Sequence, residues 1–256
     1  MAQISMNLTD IEATPVHVAF DEVSKRAEER GIRVTGSELV GLIPLGAILE
    51  AGRHYLRKQR RSTGVSDTEL IKIAVKSLGL DELGPFDPHA KIIEYAIGDG
   101  PRLSDLSVRR FTEETASESV APGGGSVAAN VGALGAALGT MVANISSHKR
   151  GWDERWEEFS NWADQGKACH DELLALIDAD TDAFNEIMAA FRLPDGTDAE
   201  AAARTEAIES ATRRAIEVPL RVMEVSLASM DVIGAMAEIG LPASTSDAGV
   251  GALCAR

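Results

Sequence analysis

The sequence predicts an α+β protein, in which a part of mixed α and β structure is followed by an all-α part. Apolar and polar residues alternate near the N-terminus, whereas long helical periodicities dominate after residue 104. Between them, the composition changes at a stretch rich in glycine and proline. We therefore expect two domains, at residues 1–100 and 104–256.

The first hundred residues combine strand and helix signals. The segment ISMNL at residues 4–8 alternates as a half-buried strand does, and a helix is predicted to begin at Thr14-Pro15. The stretches IRVTG and ELVGLIP supply further strand material, and a second helix is predicted from about residue 44. This part is therefore predicted to be mixed α and β.

The second part of the sequence predicts long helices. From Trp156 to Phe191, residues of one stripe recur at steps of three and four, which predicts a single helix roughly 55 to 60 Å long. A compact domain of this size cannot cover such a stripe with its own helices, so a partner subunit is expected to cover the rest. Another long helix is predicted from about Asp198 to Met230, and Pro219 is expected to bend it.

The stretch SVAPGGGSVAAN sets three consecutive glycines directly before a predicted helix. Free N–H groups and the dipole at such a helix start attract anions or carbonyl oxygens, and glycine lets a ligand approach the backbone closely. The spacing is neither that of a P-loop nor that of a dinucleotide-binding loop. From the residues alone, a flexible turn with a serine cap is an equally good interpretation. The candidate binding residues are Pro122, Gly123, Gly124, Gly125 and Ser126.

The helix after this loop carries two patterns. Its inward residues are predicted to be Val127, Val131, Leu134, Leu138, Met141 and Ile145. Gly132, Gly135 and Gly139 form a second strip that is poor in side chains. Small residues at helical spacing usually serve contact between helices, so close packing is the preferred interpretation of that strip.

Asp180 is the candidate for acid–base chemistry, because it lies on the apolar stripe of the long helix where an aliphatic residue is expected. Asp178 and Asp182 are predicted to point elsewhere. A carboxylate on a buried face must be paired or become protonated, and the second case makes it a proton carrier near neutral pH. The alternative is a structural ion pair with an arginine such as Arg204, Arg213 or Arg214.

Composition and charge argue against several classes of function. A formal net charge of -15 argues against nonspecific nucleic-acid binding, which needs a basic face. Cys169 and Cys254 are too few for a disulfide framework or a zinc site, so we expect reduced thiols, a cytoplasmic location and no metal. No secretory signal is recognised, and no apolar run is expected to span a membrane.

Three segments of the second part carry a family resemblance. They are LSVRRFTEETASESVAPGGGSVAANVGALGAALGTMVANI, LIDADTDAFNEIMAAFRLP and VPLRVMEVS, and they look like the cyclodeaminase domain of formiminotransferase-cyclodeaminase and its methenyltetrahydrofolate cyclohydrolase relatives. The earlier stretches AQISMNLTDIEATPVH, GSELVGLIPLGAIL and LGLDELGPFDPHAKIIEYAI are similar to the C-terminal subdomain of the formiminotransferase part. Together these resemblances span nearly the whole chain.

The resemblance implies a partial ferredoxin-like α/β subdomain followed by a helical cyclodeaminase domain that forms an intertwined dimer or a higher homo-oligomer. It implies tetrahydrofolate, free or polyglutamylated, as the substrate and carrier, with no metal. The implied reaction closes 5-formimidoyltetrahydrofolate to 5,10-methenyltetrahydrofolate with loss of ammonia. The family also transfers a formimino group from formiminoglutamate to tetrahydrofolate, and both steps belong to histidine degradation.

For the site, the resemblance implies that Asp180, in the DAD motif, is the catalytic acid and base. It also implies that the loop Pro122–Ser126 contacts folate, and it makes Asp247 in SDAGVGA a second catalytic candidate. The resemblance places the catalytic histidine of the family's formiminotransferase in a subdomain with no counterpart in this sequence. The family's final helices would follow Arg256, so we expect a partial chain. Two alternatives are a methenyltetrahydrofolate cyclohydrolase and an inactive fragment that binds folate or dimerises.

Overall fold

The computed structural model describes residues 3–98 and 102–256. The chain divides into two compact units, Met1–Asp99 and Gly100–Arg256, and each unit has a hydrophobic core of its own. The domain boundary predicted near residue 100 falls at residues 99–101, which lie outside the described residues.

The first unit is helical in its described part. Its helices are α1 Val16–Glu28, α2 Leu45–Lys58, α3 Asp67–Leu78, α4 Pro88–Lys91 and α5 Ile93–Ile97. The first two follow Pro15 and Pro44, so the predicted helices in these regions are confirmed. Apolar residues of α2 and α3 form most of the core, and Ile48 and Leu70 are wholly buried.

The strands predicted for the first unit are not formed in residues 3–98. The β pairing described there is a single parallel bridge between Ile43 and Ile92. The side chains of the alternating segments are exposed, 68% for Ile4 and 83% for Val40. A strand is stable only when a neighbouring strand pairs with its backbone N–H and C=O groups, and the described part supplies no such neighbour for residues 3–8. The predicted α/β arrangement is therefore not confirmed in the part of this unit that the structure describes.

The second unit is helical throughout residues 102–256. Its α-helices are α6 Val108–Thr115, α7 Gly124–Ser147, α8 Trp156–Phe191, α9 Asp198–Ile239 and α10 Thr245–Ala255. Short 3₁₀ turns occur at Leu103–Asp105, Asp153–Arg155 and Pro242–Ser244. The predicted long helix is confirmed at both ends, and its 36 residues extend about 54 Å at 1.5 Å per residue. Helix α9 continues through Pro219 and ends beyond the predicted Met230.

Helix α7 packs its smallest residues into the core. A Cβ atom added to Gly132 would lie 2.7 Å from Oγ of Ser226 on α9, closer than real contacts allow. A Cβ atom at Gly135 would lie 2.8 Å from the carbonyl oxygen of Gly251 on α10. Close helix packing at the glycine strip is therefore confirmed. Because the backbones approach so closely, this small-residue face is the buried one.

Four of the six residues in the inward stripe predicted for α7 are exposed, so that prediction is wrong. Leu134 is 56% exposed, while Val127 and Leu138 are partly buried. The exposed members of that stripe are Val131, Leu134, Met141 and Ile145. A comparable exposed stripe runs along α9 through Ile216, Leu220, Met223 and Leu227. Both stripes repeat at helical spacing, so each lies on one face of its helix.

Within residues 3–98 and 102–256, one helix is long and apolar enough to cross a membrane by length and composition. It is α7, and 56% of its most apolar window is buried inside the protein. The expectation was that no apolar run is long and unbroken enough to span a membrane, and α7 departs from it by length and composition only. The burial of α7 against its neighbouring helices is that of a core helix.

Candidate active site

Helix α7 begins inside the glycine loop. Gly123 is its N-cap, and Gly124, Gly125 and Ser126 form its first turn. The amide of Val127 donates to the carbonyl oxygen of Gly123 at 3.1 Å, which starts the helical hydrogen bonds. No acceptor in the described part of the chain bonds to the amides of Gly124 and Gly125. Two N–H groups at the positive end of the helix are therefore available to a ligand.

Asp180 of α8 lies against this helix start. Its Oδ2 accepts a hydrogen bond from the Ser126 amide at 2.8 Å, and the Ser126 hydroxyl lies 3.0 Å from the same oxygen. The hydroxyl also lies 3.1 Å from the carbonyl oxygen of Ile177, and its single proton goes to one of these acceptors. Gly123 has no side chain to cap the helix, so the carboxylate of Asp180 takes that place.

The alternative ion pair of Asp180 is not formed. Arg204 pairs with Asp195 and also donates to the carbonyl oxygen of Phe191 at 3.0 Å. Arg214 pairs with Glu186 at 2.7 Å. Among the residues that the structure describes, Asp180 has no cationic partner within ion-pair distance, and its Oδ1 accepts no hydrogen bond. One oxygen of the carboxylate is therefore anchored and the other is available.

The two neighbouring aspartates point away from this contact, as predicted. Asp178 accepts a hydrogen bond from the Leu103 amide at 2.8 Å, and its other oxygen lies 2.5 Å from Oγ of Ser104. Asp182 is exposed. Asp178 therefore holds the first turn of the second unit, and Asp180 alone of the three faces the glycine loop.

Gly125 is the loop residue that the carboxylate requires. A Cβ atom built there would lie 2.1 Å from Oδ1 of Asp180, so a side chain would displace the carboxylate. A Cβ atom at Gly123 or Gly124 would meet nothing within 4 Å. The three glycines thus have different roles, since one makes room for Asp180 and two leave open space.

That open space belongs to a pocket of about 330 Å³. The loop contributes Val120, Ala121, Gly123 and Gly124, helix α8 contributes Asp180, Thr181, Phe184 and Ile187, and helix α9 contributes Ala215. The pocket has a polar end, with the carboxylate beside the free amides, and an apolar wall formed by Phe184 and Ile187. Apolar walls with a few convergent polar groups are typical of small-molecule sites.

The predicted site residues outside the pocket lining are Pro122, Gly125, Ser126 and Asp247. Pro122 is buried, and its peptide bond with Ala121 is cis. Asp247 lies in the first turn of α10 and is partly buried. The structure therefore brings Asp180, Ser126 and the glycines together, and it places Asp247 elsewhere in the described part of the unit.

Thr181 and Phe184 are pocket residues that sequence reasoning missed. Oγ1 of Thr181 lies 3.4 Å from Oγ of Ser126, and Phe184 lies one helical turn after Asp180. The available signal for Phe184 was its spacing from Asp180, because residues four apart lie on the same face of a helix. Thr181, the next residue in the sequence, gave no such signal. In the sequence, Phe184 was interpreted only as one more member of the apolar stripe.

A separate group of titratable side chains lies in the first unit. Nε2 of His54 lies 2.9 Å from Oδ2 of Asp21, and Nζ of Lys58 lies at the same distance from that oxygen. The rings of His17 and His54 stack at 4.3 Å. Burial lowers the pKa of His17, and the neighbouring charge of His54 lowers it further. This group shares no residue with the pocket of the second unit.

The fold and pocket of the second unit define a class of protein, an all-α domain with a polar pocket at the start of a helix. The chain belongs to the formiminotransferase-cyclodeaminase family. The family model described as formiminotransferase-cyclodeaminase matches residues 107–256, and the model of the formiminotransferase domain matches residues 1–98. The family predicted from the sequence is thereby confirmed.

Relatives of known name agree with this assignment. The formimidoyltransferase-cyclodeaminase of Rattus norvegicus is 39% identical over 255 residues, which are 98% of this chain and 47% of that protein. The methenyltetrahydrofolate cyclohydrolase of Methylorubrum extorquens is 36% identical over 149 residues, covering 58% of this chain and 72% of that protein. The chain spans about half the length of the formimidoyltransferase-cyclodeaminases it matches.

A solved structure supports the fold of the helical part. The crystal structure of formiminotetrahydrofolate cyclodeaminase from Thermotoga maritima matches with a TM-score of 0.52 and 27% sequence identity. The match covers 60% of this chain and 73% of that one. The mostly helical, cyclodeaminase-like architecture predicted for the second part is therefore confirmed.

Proposed function

We propose that the second unit converts 5-formimidoyltetrahydrofolate to 5,10-methenyltetrahydrofolate and ammonia. The observation that carries this proposal is the carboxylate of Asp180, anchored through one oxygen by Ser126 and open to the pocket through the other. Membership of the family supplies the class of substrate, a one-carbon derivative of tetrahydrofolate. The proposal involves no metal.

Asp180 is proposed to carry out both proton transfers. When N10 of the folate attacks the carbon of the protonated formimidoyl group, the C–N10 bond forms, the C=N π electron pair moves to the nitrogen, which becomes an amino group, and the N10 proton passes to Oδ1 of Asp180. The bond from that carbon to the amino nitrogen then breaks, and the carboxyl group returns its proton so that ammonia departs. One residue can serve as base and then as acid when its carboxyl group is held within reach of both nitrogens.

The glycine loop is proposed to bind the folate. The free amides of Gly124 and Gly125 donate hydrogen bonds to an acceptor atom of the ligand, and the helix dipole reinforces them. Ser126 orients Asp180, and Pro122 is a buried residue of the same loop. Asp247 lies outside this pocket, so the proposal assigns proton transfer to Asp180 alone.

A product assay tests the proposed reaction. Purified chain mixed with 5-formimidoyltetrahydrofolate is expected to raise the absorbance of 5,10-methenyltetrahydrofolate and to release ammonia. Methenyltetrahydrofolate cyclohydrolase is a second candidate, because a relative of that name matches this chain over 72% of the relative's own length. Faster loss of added methenyltetrahydrofolate than formation from the formimidoyl substrate would favour it. Folate binding without either reaction would contradict both enzymatic proposals and would leave a binding or dimerisation fragment.

The exposed apolar stripes are proposed to be covered by a second copy of the chain. Such stripes on α7 and α9 are unusual on the surface of a monomer, and α8 extends about 54 Å.

Replacing Leu134 by aspartate is expected to convert the oligomer to a monomer, because a charge would be buried without a partner. Light scattering after size-exclusion chromatography measures the mass. Val108→Asp is the matched control, since Val108 is exposed but lies on neither stripe. An unchanged mass for Leu134→Asp, or a monomeric wild type, would contradict the proposal.

The finer expectations for the whole protein are also proposals. The alternating, exposed residues 3–8 would gain neighbours in a complete ferredoxin-like formiminotransferase domain, for which the family match at residues 1–98 is the support. Formimino transfer and a place in histidine degradation belong to that longer protein. Cys169 and Cys254 are free thiols, which is compatible with the proposed cytoplasmic location.

A further inference from the structure

The hydroxyl group of Ser126 lies among three oxygen atoms of helix α8. Oδ2 of Asp180 is 3.0 Å from it, the carbonyl oxygen of Ile177 is 3.1 Å from it, and Oγ1 of Thr181 is 3.4 Å from it. Ser126 is wholly buried, so its hydroxyl takes its hydrogen-bond partners from these three atoms. Two of them belong to residues with no assigned role in the site, Ile177 and Thr181.

Thr181 departs from the hydrogen bonding of other threonines in these helices. Threonine inside a helix often donates to the carbonyl oxygen four residues earlier. Four threonines of the second unit do so at 2.8 or 2.9 Å, namely Thr112, Thr115, Thr140 and Thr205. The carbonyl four residues before Thr181 belongs to Ile177, and the hydroxyl of Ser126 lies against it. Within the described residues, the hydrogen-bond partner of the Thr181 side chain is Ser126.

The single proton of each hydroxyl fixes the direction of these bonds. The carboxylate of Asp180 and the carbonyl of Ile177 can only accept, and both lie nearer to Ser126 than Thr181 does. The Ser126 proton therefore goes to one of them, and the charged carboxylate is the stronger acceptor. The Ser126 oxygen is then left to accept, so Thr181 is the donor in the remaining contact.

We propose that Thr181 is a positioning residue that holds Asp180 through Ser126. Its hydroxyl donates to Oγ of Ser126 and keeps the Ser126 proton directed at Oδ2 of the charged carboxylate. When Oδ1 receives the N10 proton, the charge is lost and the Ser126 hydroxyl can turn to the Ile177 carbonyl. This inference rests on the proposed function and adds the means by which one carboxyl group is held both as base and as acid.

Removing the Thr181 hydroxyl tests the inference. Thr181→Val keeps the branched shape and removes the donor, so we expect kcat for methenyltetrahydrofolate formation to fall about three- to tenfold with KM within about twofold. Thr181→Ser keeps the donor and is expected to retain kcat within about twofold. An unchanged kcat in Thr181→Val, or an equal loss in Thr181→Ser, would overturn the inference. A rise in KM alone would mean that Thr181 binds the ligand, and it would also overturn the positioning role.

Thr205→Val is the matched control for this substitution. Thr205 is an exposed threonine of helix α9, outside the pocket lining, and its hydroxyl donates to the Ala201 carbonyl oxygen. The substitution makes the same chemical change within a helix of the same unit. We expect kcat and KM to stay at their wild-type values. A loss of kcat equal to that of Thr181→Val would trace the effect to a general change in the helices and would overturn the inference.

A double variant shows whether Thr181 acts through Ser126. Ser126→Ala removes the hydroxyl that joins Thr181 to Asp180 and keeps the amide that donates to Oδ2 at 2.8 Å. Adding Thr181→Val to Ser126→Ala is then expected to lower kcat no further, because the two residues act as one unit. Losses that multiply in the double variant would show that Thr181 acts independently of Ser126.

Amide hydrogen exchange separates this inference from the proposed function. The Ser126 amide donates to Asp180, so its exchange rate in the chain without ligand reports how firmly the carboxylate is held. We expect it to exchange about three- to tenfold faster in Thr181→Val than in the wild type or Thr181→Ser. That result in a chain without turnover would uphold the positioning role and refute the proposed reaction. Full turnover with equal exchange rates in all three chains would uphold the reaction and overturn the role of Thr181.

Discussion

Replacing Asp180 by asparagine is expected to lower kcat for methenyltetrahydrofolate formation at least about 100-fold while leaving the protein folded. Asparagine has nearly the same shape, and its oxygen can still accept from the Ser126 amide, which bonds Asp180 at 2.8 Å. It cannot accept and return a proton at neutral pH, and acid–base groups typically contribute 10²- to 10⁴-fold to rate. Single-turnover absorbance and a thermal melt of the same sample measure the two properties.

Asp182→Asn is the matched control for this experiment. Asp182 lies on the same helix two residues further on, is exposed, and lies outside the pocket lining. The substitution makes the same change of charge and is expected to retain wild-type kcat. Wild-type activity in both Asp180→Asn and Asp182→Asn would exclude Asp180 as the proton carrier. An equal loss of activity in both variants would point to an effect of net charge.

Gly125→Ala is expected to reduce kcat about 100-fold through a single methyl group. The added Cβ atom would lie 2.1 Å from Oδ1 of Asp180, so the carboxylate must move away from its contact with Ser126. A displacement of about 1 Å in a positioned catalytic group can lower the rate by about 10²-fold. The loss should appear in kcat, because the open space at Gly123 and Gly124 is unaffected.

The control for this variant is Gly46→Ala. Gly46 lies in the first turn of α2, and a Cβ atom there meets nothing within 4 Å. It makes the same chemical change at a helix start and is expected to leave kcat and the melting temperature nearly unchanged. Full activity in Gly125→Ala would mean that the position of the Asp180 carboxylate does not limit the reaction.

Local patterns predicted the long helices of this chain well and its strands badly. The steps of three and four between Trp156 and Phe191 are satisfied within one helix, so both ends were correct. The strand predicted at residues 4–8 would need a neighbouring strand that is distant in sequence. The β pairing described in residues 3–98 is a single bridge between Ile43 and Ile92. Alternation shows what a strand could bury, but it does not show which partner is present.

The site was predictable where a residue contradicted its surroundings. Asp180 interrupts an apolar stripe and the glycines interrupt helix-forming sequence, and the structure brings these two features together. The prediction of the inward face of α7 was wrong. Large apolar residues were expected inside, but the glycine strip lets the neighbouring helices approach the opposite face.

The glycine strip of α7 also acts as an alignment device. A methyl group at Gly132 or Gly135 would overlap atoms of α9 or α10, and one at Gly139 would lie 3.0 Å from Ile233, so α7 has little freedom to slide along its neighbours. Gly139 lies fourteen residues, or about 21 Å, along the helix from Gly125. The position of the free amides relative to Asp180 is therefore set partly by contacts far from any ligand. Substitutions that exchange pocket side chains can be absorbed locally, whereas one added carbon in the strip would shift the whole helix start.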